Sequence, residues 1–313
     1  MNNIPPLLQR GDRVAIVATA RKISPVETEP ATRLFESWGL EVELPPNIYA
    51  ECHQFAGDDA ARAADLQWAL DNPDIKAVFC ARGGYGTIRI IDRVDFTAFA
   101  RKPKWIVGYS DVTVLHSHIN ALLGTATLHA TMPLNIPGDA VGRSYPSTES
   151  LHKALFDGIA EYTVAEHPLG RRADERVVTA PVVGGNLSIL YSLCGSPSDI
   201  DTDGKILFIE DLDEYLYHID RMMQNLRRTG KLNGLKALMV GGMTDMHDNT
   251  IPYGKSAEQI VLDAVKDYGY PVVFNAPFGH LATGNCALAL GVPATLSFGD
   301  GSWSIGCNLK ASI

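Results

Sequence analysis

The sequence predicts an α/β protein of two domains. Its 313 residues, at roughly 150 residues per domain, favour two domains, and 46% of them are apolar, enough to fill two cores. In the N-terminal half, short apolar runs alternate with longer amphipathic segments, which is the pattern of βαβ units around a parallel sheet. Towards the C-terminus, short apolar runs are separated by Gly and Pro, as in strands joined by turns.

The N-terminal elements follow this alternation in order. Apolar runs predict strands, and amphipathic segments of helical period predict helices. The predicted strands are residues 13–19, 40–44, 77–80, 105–107 and 125–129, and the predicted helices are 26–38, 58–71 and 112–123. Residues 1–135 are therefore predicted to form one α/β domain.

Residues 136–178 are rich in Pro, Gly and charge, and they predict a linker region with one short helix at 147–156. A second domain is predicted at 179–313. Its strands are predicted at 206–209, 235–240 and 272–274, its helices at 215–228 and 256–268, and its closing β-hairpins at 287–290, 294–298 and 303–305.

The charge and the N-terminus exclude several classes of partner. The net charge of −9 argues against nucleic acid, whose binding depends on clustered Lys and Arg. The N-terminal segment lacks the features of a signal peptide, and no apolar run is long enough to span a bilayer. We therefore expect a cytoplasmic protein with no nucleic-acid or membrane partner.

The cysteines and histidines do not predict a metal site. Five cysteines are scattered without a C-x-x-C pair, which fits reduced thiols in a cytosol. His116 and His118 would point in different directions on a helix. Asp245-Met-His-Asp248 has the residue types of metal ligands but no partner cluster, so a polar loop is the preferred interpretation.

Four predicted strands run at their carboxyl ends into residues too polar or too small to serve packing alone. The four ends are Val78-Phe-Cys-Ala-Arg-Gly-Gly-Tyr-Gly86, Ile106-Val-Gly-Tyr-Ser-Asp111, Leu207-Phe-Ile-Glu-Asp211 and Val273-Phe-Asn-Ala-Pro-Phe-Gly-His280. In open α/β sheets, ligands bind beyond the carboxyl ends of the strands. These ends therefore nominate Ser110, Glu210 and His280, with a glycine loop, as one site.

The three side chains fit the chemistry of an activated serine. A serine hydroxyl needs an adjacent imidazole to accept its proton, and the imidazole needs a carboxylate to fix its tautomer. The chain order Ser110, Glu210, His280 is compatible because such sites are defined by geometry. The amide of Asp111, at a helix N-terminus, and the amide of Gly84 are the predicted oxyanion donors.

Each residue also fits a structural role. Ser110 equally fits a helix N-cap, and Val112 stands where the nucleophile-elbow pattern has glycine. Glu210 fits a solvent-facing strand end, and His280 fits a turn histidine bonded to the backbone. The glycine loop at 82–86 is by itself a weak motif that fits a phosphate loop or a tight turn.

Five motifs in order along the chain resemble the LD-carboxypeptidase family of serine peptidases, which includes microcin C immunity peptidases. They are Arg82-Gly-Gly-Tyr-Gly86, Val107-Gly-Tyr-Ser-Asp111, Gly184-Gly-Asn-Leu187, Phe208-Ile-Glu-Asp211 and Phe278-Gly-His280. The likeness spans nearly the whole chain. It implies an N-terminal Rossmann-like parallel-sheet domain and a C-terminal domain built around a β-barrel, with the active site between them.

The resemblance also implies a role for individual residues. Ser110 falls on the nucleophile, Glu210 and His280 on its triad partners, and Gly84 and Asp111 on the oxyanion amides. The family uses no metal or organic cofactor, and its members are commonly homodimers.

The implied reaction is hydrolysis of the bond from an L-centre to the terminal D-alanine of a murein tetrapeptide, in cytoplasmic peptidoglycan recycling. Segment 210–221 resembles the muropeptide branch more than the immunity branch. Arg82 and Asn186 are the candidate substrate-binding residues, Arg82 because a carboxylate-terminated substrate requires a cation. Two alternatives stay open: a microcin C immunity-type peptidase that cleaves aminoacyl nucleotide analogues, and a peptide- or nucleotide-binding module without catalysis.

Overall fold

The computed structural model describes residues 3–172 and 176–310. Its strands form two sheets, and helices pack against them, so the predicted α/β class is confirmed. The termini of the two predicted domains and part of the predicted linker, at residues 1–2, 173–175 and 311–313, lie outside the described residues.

The first sheet is built mainly from N-terminal strands. They are β1 (Arg13–Val17), β2 (Glu41–Glu43), β3 (Ile75–Cys80), β4 (Trp105–Gly108) and β5 (Thr127–His129). They pair in parallel in the order β5-β4-β3-β1-β2. Trp105 and Val107 face one hydrophobic cluster and Ile106 faces another, because alternate strand residues point to opposite faces of a sheet. The central strands are therefore buried on both sides, as parallel sheets require.

The helices of this half begin and end where the local sequence caps them. They are α1 (Pro25–Ser37), α2 (Asp59–Asp71), α3 (Thr97–Arg101), α4 (Thr113–Leu123) and α5 (Pro146–His152). Ser24 and Glu27 form a capping box at the start of α1, and the Asp58 side chain accepts from Ala61 N at the start of α2. Gly124, at φ +57°, ends α4 in the left-handed conformation.

The second half adds strands and helices in alternation and then two strands that form a hairpin. The elements are β6 (Ile159–Ala165), β7 (Val177–Asn186), α6 (Leu187–Leu193), β8 (Ile206–Leu212), α7 (Leu216–Arg228), β9 (Ala237–Thr244), α8 (Ala257–Ala264), β10 (Val272–Val273), β11 (Leu288–Leu290), β12 (Pro293–Gly299) and β13 (Ser302–Asn308).

The second sheet has the order β10-β9-β8-β7-β12-β13-β6. The strands β10, β9, β8 and β7 pair in parallel, whereas β7, β12, β13 and β6 pair antiparallel. The strand pairings of the described residues therefore run from β10 to β6, and none joins β6 directly to β10.

Three strands differ from the sequence-based expectations, and one of them, β7, is not predicted at all. The hairpin prediction holds for β12 and β13 but is wrong for β11, which crosses to the first sheet and pairs antiparallel with β5. Residues 136–178 contain the expected short helix, continued by a π-helix at Lys153–Asp157, and also the strand β6. Strand β6 pairs with β13, so this stretch contributes to the second sheet.

The carboxyl ends of the two sets of parallel strands meet. Asn186, at the end of β7, donates its backbone N–H to Thr113 Oγ1 at the start of α4, at 3.0 Å. Gly185 lies so close to Thr113 that an added Cβ would be 2.6 Å from the same oxygen. A glycine at 185 is therefore required for this contact, which brings the end of β4 next to the ends of β7 and β8.

No helix among the described residues is both long and apolar enough to cross a membrane.

Candidate active site

Ser110 lies in the sharp corner between β4 and α4. Its φ is +63°, a left-handed conformation that costs a non-glycine residue about 1–2 kcal/mol. This is the geometry of a nucleophile elbow, which lifts a serine hydroxyl above the end of a sheet. Gly108 supplies the room: an added Cβ there would lie 2.9 Å from a methyl of Val112. Val112, which departs from the elbow pattern, therefore packs onto the first glycine of the motif.

The structure does not support the N-cap role for Ser110. The N-cap position of α4 is Val112, and it makes no side-chain cap hydrogen bond. The short 3-10 helix that starts at Ser110 has Tyr109 at its N-cap position, again without a side-chain bond. The strained serine is therefore not explained by helix capping.

Glu210 and His280 form a buried pair. Glu210 is fully buried near the end of β8, and its Oε2 lies 2.7 Å from His280 Nδ1 and accepts from the His280 backbone N–H at 3.2 Å. Glu210 is therefore not a solvent-facing strand end, and His280 is bonded to a carboxylate. Since Nδ1 donates to the carboxylate, Nε2 is the ring nitrogen left to accept a proton.

Three glycines allow the loop that carries His280 to approach Glu210. Gly241 and Gly242 of β9 lie opposite Glu210 in a bulge, where the register with β8 shifts. Gly242 donates to Phe278 O at 3.1 Å, and an added Cβ at Gly241 would be 2.4 Å from that same oxygen. Gly279, at φ +98°, has no room either: its Cβ would lie 2.7 Å from the Glu210 side chain.

The charges around His280 favour its protonated form. Burial lowers the pKa of His280, but the hydrogen bond that His280 donates to Glu210 and the negative charges of Glu210 and Asp211 outweigh burial and raise that pKa above its usual value. Burial and the adjacent Glu210 charge also raise the pKa of Asp211 to about 7. Glu210 Oε1 is buried with no hydrogen-bond partner among the described residues. The contact with His280 is what compensates the burial of the Glu210 carboxylate.

The glycine loop that follows β3 lies directly on the serine corner. An added Cβ at Gly83 would be 2.9 Å from Ser110 Cβ and 3.5 Å from Asp111 N. The buried Asp111 carboxylate accepts from Thr87 N at 2.9 Å and so ties this loop to the corner. Within residues 3–172 and 176–310, neither Gly84 N nor Asp111 N donates a hydrogen bond, so both amides are available to an oxyanion.

Tyr109, the residue before Ser110, contacts His280 of the Glu210–His280 pair. The centroids of the two rings are 4.8 Å apart. No hydrogen bond joins Ser110 Oγ to His280 among the described side chains. Catalytic hydrogen bonds are often long before substrate binds, so this geometry is compatible with a serine that engages His280 only in the substrate complex.

The two candidate substrate-binding residues are engaged elsewhere. Arg82 Nη1 donates to Lys22 O at 3.1 Å and lies 3.7 Å from Glu27 Oε1. Asn186 is buried, donates from Nδ2 to Asp211 Oδ1 at 3.0 Å, and accepts from Ile189 N at 3.2 Å.

Two residues at the site were not predicted from the sequence. The Tyr109 ring contacts the His280 ring at a tilt of 53°. Asn285, which is buried, accepts from Gly279 N at 2.7 Å and holds the loop that presents His280. Tyr109 could have been found from its position beside Ser110, but Asn285 lies in a Gly-Asn-Cys stretch with no recognisable signal.

Two further buried histidines, His116 and His118, have hydrogen-bond partners. His116 Nε2 contacts Gly108 O at 2.9 Å, and burial lowers the pKa of His116 to about 4, so its neutral ring donates to the carbonyl before the serine corner. His118 Nδ1 contacts Ser198 Oγ at 2.9 Å. The described residues contain no cluster of three His, Cys, Asp or Glu side chains that could hold a metal ion.

Comparison with known proteins gives matches over both halves of the chain. The LD-carboxypeptidase N-terminal domain matches residues 14–130, and the LD-carboxypeptidase C-terminal domain matches residues 179–296. The probable murein peptide carboxypeptidase of Bacillus subtilis strain 168 is 36% identical over 94% of this chain and 90% of its own length. The murein tetrapeptide carboxypeptidase of Pseudomonas aeruginosa PAO1 is 31% identical over 86% of this chain and 88% of its own length.

Solved structures agree with the fold. The muramoyltetrapeptide carboxypeptidase of Oxalobacter formigenes superposes with a TM-score of 0.82 at 27% identity, over 94% of this chain and 98% of that one. The immunity protein MccF, in complex with glutamyl sulfamoyl guanosine, also has a TM-score of 0.82, but at 20% identity over 98% of this chain and 99% of that one. The second likeness therefore shows the fold alone.

The raised pKa of His280 predicts a pH dependence. A general base must be neutral, so kcat/KM for peptide hydrolysis should fall as the pH drops through the His280 pKa, and the midpoint should lie above 6.5. Glu210→Gln removes the hydrogen bond to the Glu210 carboxylate and its negative charge, which raise this pKa more than Asp211 does, while burial persists. The midpoint should therefore move to lower pH, and kcat should fall on the order of 10⁴-fold.

Glu41→Gln is the control for this experiment, because Glu41 accepts from Arg13 Nε at 3.1 Å at the amino ends of β2 and β1, at the opposite end of the sheet from Ser110. It should leave the midpoint and kcat in place. An unchanged pH profile in Glu210→Gln would contradict the assignment of the pair.

The packing of Gly279 predicts that Gly279→Ala damages both stability and activity. The new methyl would meet Glu210 at a left-handed position, which should cost about 2–4 kcal/mol in the free energy of unfolding and separate His280 from Glu210. Urea unfolding and kcat measure the two effects. Gly254→Ala is the control, because Gly254 has φ +82° but no atom within 4 Å of an added Cβ. Equal losses of kcat in both variants would show that the contact with Glu210 is unimportant.

Proposed function

This chain belongs to the LD-carboxypeptidase family of serine peptidases, and we propose that it removes the terminal D-alanine from murein tetrapeptides with Ser110 as nucleophile. The observation that supports this most strongly is the buried Glu210–His280 pair, 2.7 Å apart, beside a strained serine. The murein substrate is taken from the names of relatives at 31% and 36% identity.

The proposed reaction begins with proton transfer from Ser110 Oγ to His280 Nε2 as the oxygen attacks the scissile carbonyl. Glu210 keeps Nδ1–H in place and stabilises the imidazolium that forms. The raised pKa of His280 favours this proton transfer. The amides of Gly84 and Asp111 receive the developing oxyanion, and such donors are each worth about 10²–10³-fold in kcat where they have been removed elsewhere.

The second half of the reaction reverses these proton transfers. The imidazolium of His280 protonates the amine of the departing D-alanine as the carbon–nitrogen bond breaks. A water molecule then gives its proton to the neutral imidazole and attacks the acyl group on Ser110. The ester bond breaks, the serine recovers its proton from His280, and the shortened peptide leaves with a new carboxylate.

The division of labour between domains is also part of the proposal. Residues 1–135 carry the nucleophile, 136–178 connect the two domains, and 179–313 carry Glu210 and His280.

A barrel-like closure of the second sheet is supported by Arg171, which exchanges backbone hydrogen bonds of 2.9 and 2.7 Å with Val272 of β10. This residue lies six positions after β6 ends, so the chain that leaves one edge of the sheet reaches the other.

Arg82 and Asn186 stay proposed as substrate-side residues. A direct role would require each to exchange its present partners, and an indirect one would act through Asp211 or the glycine loop. The resemblance supports the absence of a cofactor, the homodimer, the cytoplasmic location and the lack of a membrane partner. The net charge of −9 supports the lack of a nucleic-acid partner. Light scattering on the purified protein tests the dimer, and a monomeric mass at micromolar concentration would reject it.

The immunity-type alternative has less support. The relatives over 30% identical that are described above have murein names, whereas the MccF complex shares 20% identity. An aminoacyl sulfamoyl nucleotide is thus the competing substrate, and it belongs in the same assay.

The decisive assay follows the mass of L-Ala-γ-D-Glu-meso-diaminopimelyl-D-Ala during incubation with the protein. Wild type should release D-alanine, and Ser110→Ala should lose on the order of 10⁶-fold in kcat. Ser117→Ala is the control, because Ser117 is buried in α4 with no hydrogen bond to its hydroxyl among the described residues, and it should retain activity. Release by folded Ser110→Ala at the wild-type rate would reject the serine mechanism.

A further inference from the structure

A carboxypeptidase must recognise the free carboxylate of its substrate, and the glycine loop points to the cation that does so. We propose that Arg21 binds the carboxylate of the terminal D-amino acid and thereby makes the enzyme an exopeptidase. This inference rests on the function proposed above, because it concerns the same site.

Arg21 follows the carboxyl end of β1 by four residues, and β1 neighbours β3 and, through it, β4. Residues after these three adjacent strands are Arg21, the glycine loop and Ser110, in that spatial order. A short antiparallel bridge between Arg21 and Phe55 fixes the Arg21 backbone. The arginine is therefore on the side of the glycine loop away from the serine.

The contacts of two consecutive glycines, Gly83 and Gly84, define how Ser110 and Arg21 are placed on either side of the loop. Gly83 lies against Ser110, and Gly84 lies against the Arg21 side chain, whose Cδ would be 2.5 Å and Nε 3.1 Å from an added Cβ. A side chain at 84 would therefore displace the arginine. The loop that offers the proposed oxyanion amide of Gly84 is also the surface on which Arg21 rests.

Arg21 is the arginine of this region with a free guanidinium. It is exposed, and it forms no ion pair or side-chain hydrogen bond with residues 3–172 or 176–310. Its cationic neighbours are all engaged: Arg82 with Lys22 O and Glu27, Lys22 with Glu51, Arg62 with Thr19 O and Asp59, and Arg89 with Asp59. A substrate anion would meet least competition at Arg21.

The substrate's geometry matches this position. In a peptide that ends in D-alanine, the carboxylate is carried by the residue whose nitrogen is released, so it lies within one residue of the scissile carbonyl. The cation must then be adjacent to the oxyanion donors, as Arg21 is to Gly84. A guanidinium binds a carboxylate through two parallel hydrogen bonds, which would orient the leaving group as well as hold it. An ammonium would lack that fork.

The test compares the tetrapeptide acid with its C-terminal carboxamide. Wild type should cleave the acid with the higher kcat/KM. Arg21→Gln should lower kcat/KM for the acid by about 10- to 100-fold, mainly through KM, and leave the carboxamide nearly unchanged, so that the acid preference disappears. Arg21→Lys should restore part of the preference. Lys22→Gln is the charge control, since Lys22 is the adjacent cation and is paired with Glu51.

The outcomes separate this inference from the proposed function. Release of D-alanine by wild type, with an acid preference that survives in Arg21→Gln, would overturn the role of Arg21 and leave the function standing. Loss of the preference in Arg82→Gln but not in Arg21→Gln would assign the carboxylate to Arg82 and would equally overturn it.

Binding tests the arginine without turnover. Calorimetric titration of the tetrapeptide acid into Ser110→Ala protein should give an affinity that falls about 10- to 100-fold when Arg21→Gln is added. If wild type releases no D-alanine, the proposed function fails, and equal or undetectable binding by the two proteins would then reject Arg21 as well. Thermal melting of each variant confirms that the folds compared are the same.

Discussion

The architecture of the active site depends on one buried carboxylate, that of Glu210. Glu210 is fully buried, and a buried charge is costly unless a partner compensates it. His280 is that partner, and the surrounding chain is shaped to admit it: the bulge at Gly241 and Gly242 accommodates the loop that carries His280, and Gly279 lacks the Cβ that would strike Glu210. The pair is therefore a constraint on backbone conformation as much as a contact between side chains.

The serine half of the site depends on the same kind of close approach. Ser110 holds a left-handed φ, Gly83 packs against it, and the Asp111 carboxylate binds Thr87 N to keep the glycine loop in place. Thr113 then accepts from Asn186 N of the second sheet. Contacts where the two sheets meet therefore fix the position of Ser110 relative to the Glu210–His280 pair. Ser110 and His280 share no hydrogen bond in the described structure.

Much of this could be predicted from the sequence, because the parallel strands and their helices have strong periodic patterns and polar residues at the carboxyl ends of strands stand out. Strand β11 was misassigned because a short apolar run does not reveal which sheet it joins. Strand β6 is not predicted because its exposed positions resemble a loop, and β7 is not predicted because its apolar residues are interrupted by Pro181 and end in two glycines. The role of Arg21 depends on its contact with Gly84, which lies far away in sequence, and no local pattern reports such a contact. Asn285 binds the nearby Gly279 N, but the Gly-Asn-Cys stretch in which it lies carries no recognisable signal.

The most direct measurement of the central claim is to trap the covalent intermediate. A depsipeptide with D-lactate in place of the terminal D-alanine should acylate the enzyme faster than the peptide does, so that the acyl-enzyme accumulates. Rapid acid quenching and mass mapping should then place the acyl group on Ser110. Turnover with the acyl group on another residue, or burst-free turnover with no adduct, would contradict a serine activated by the Glu210–His280 pair.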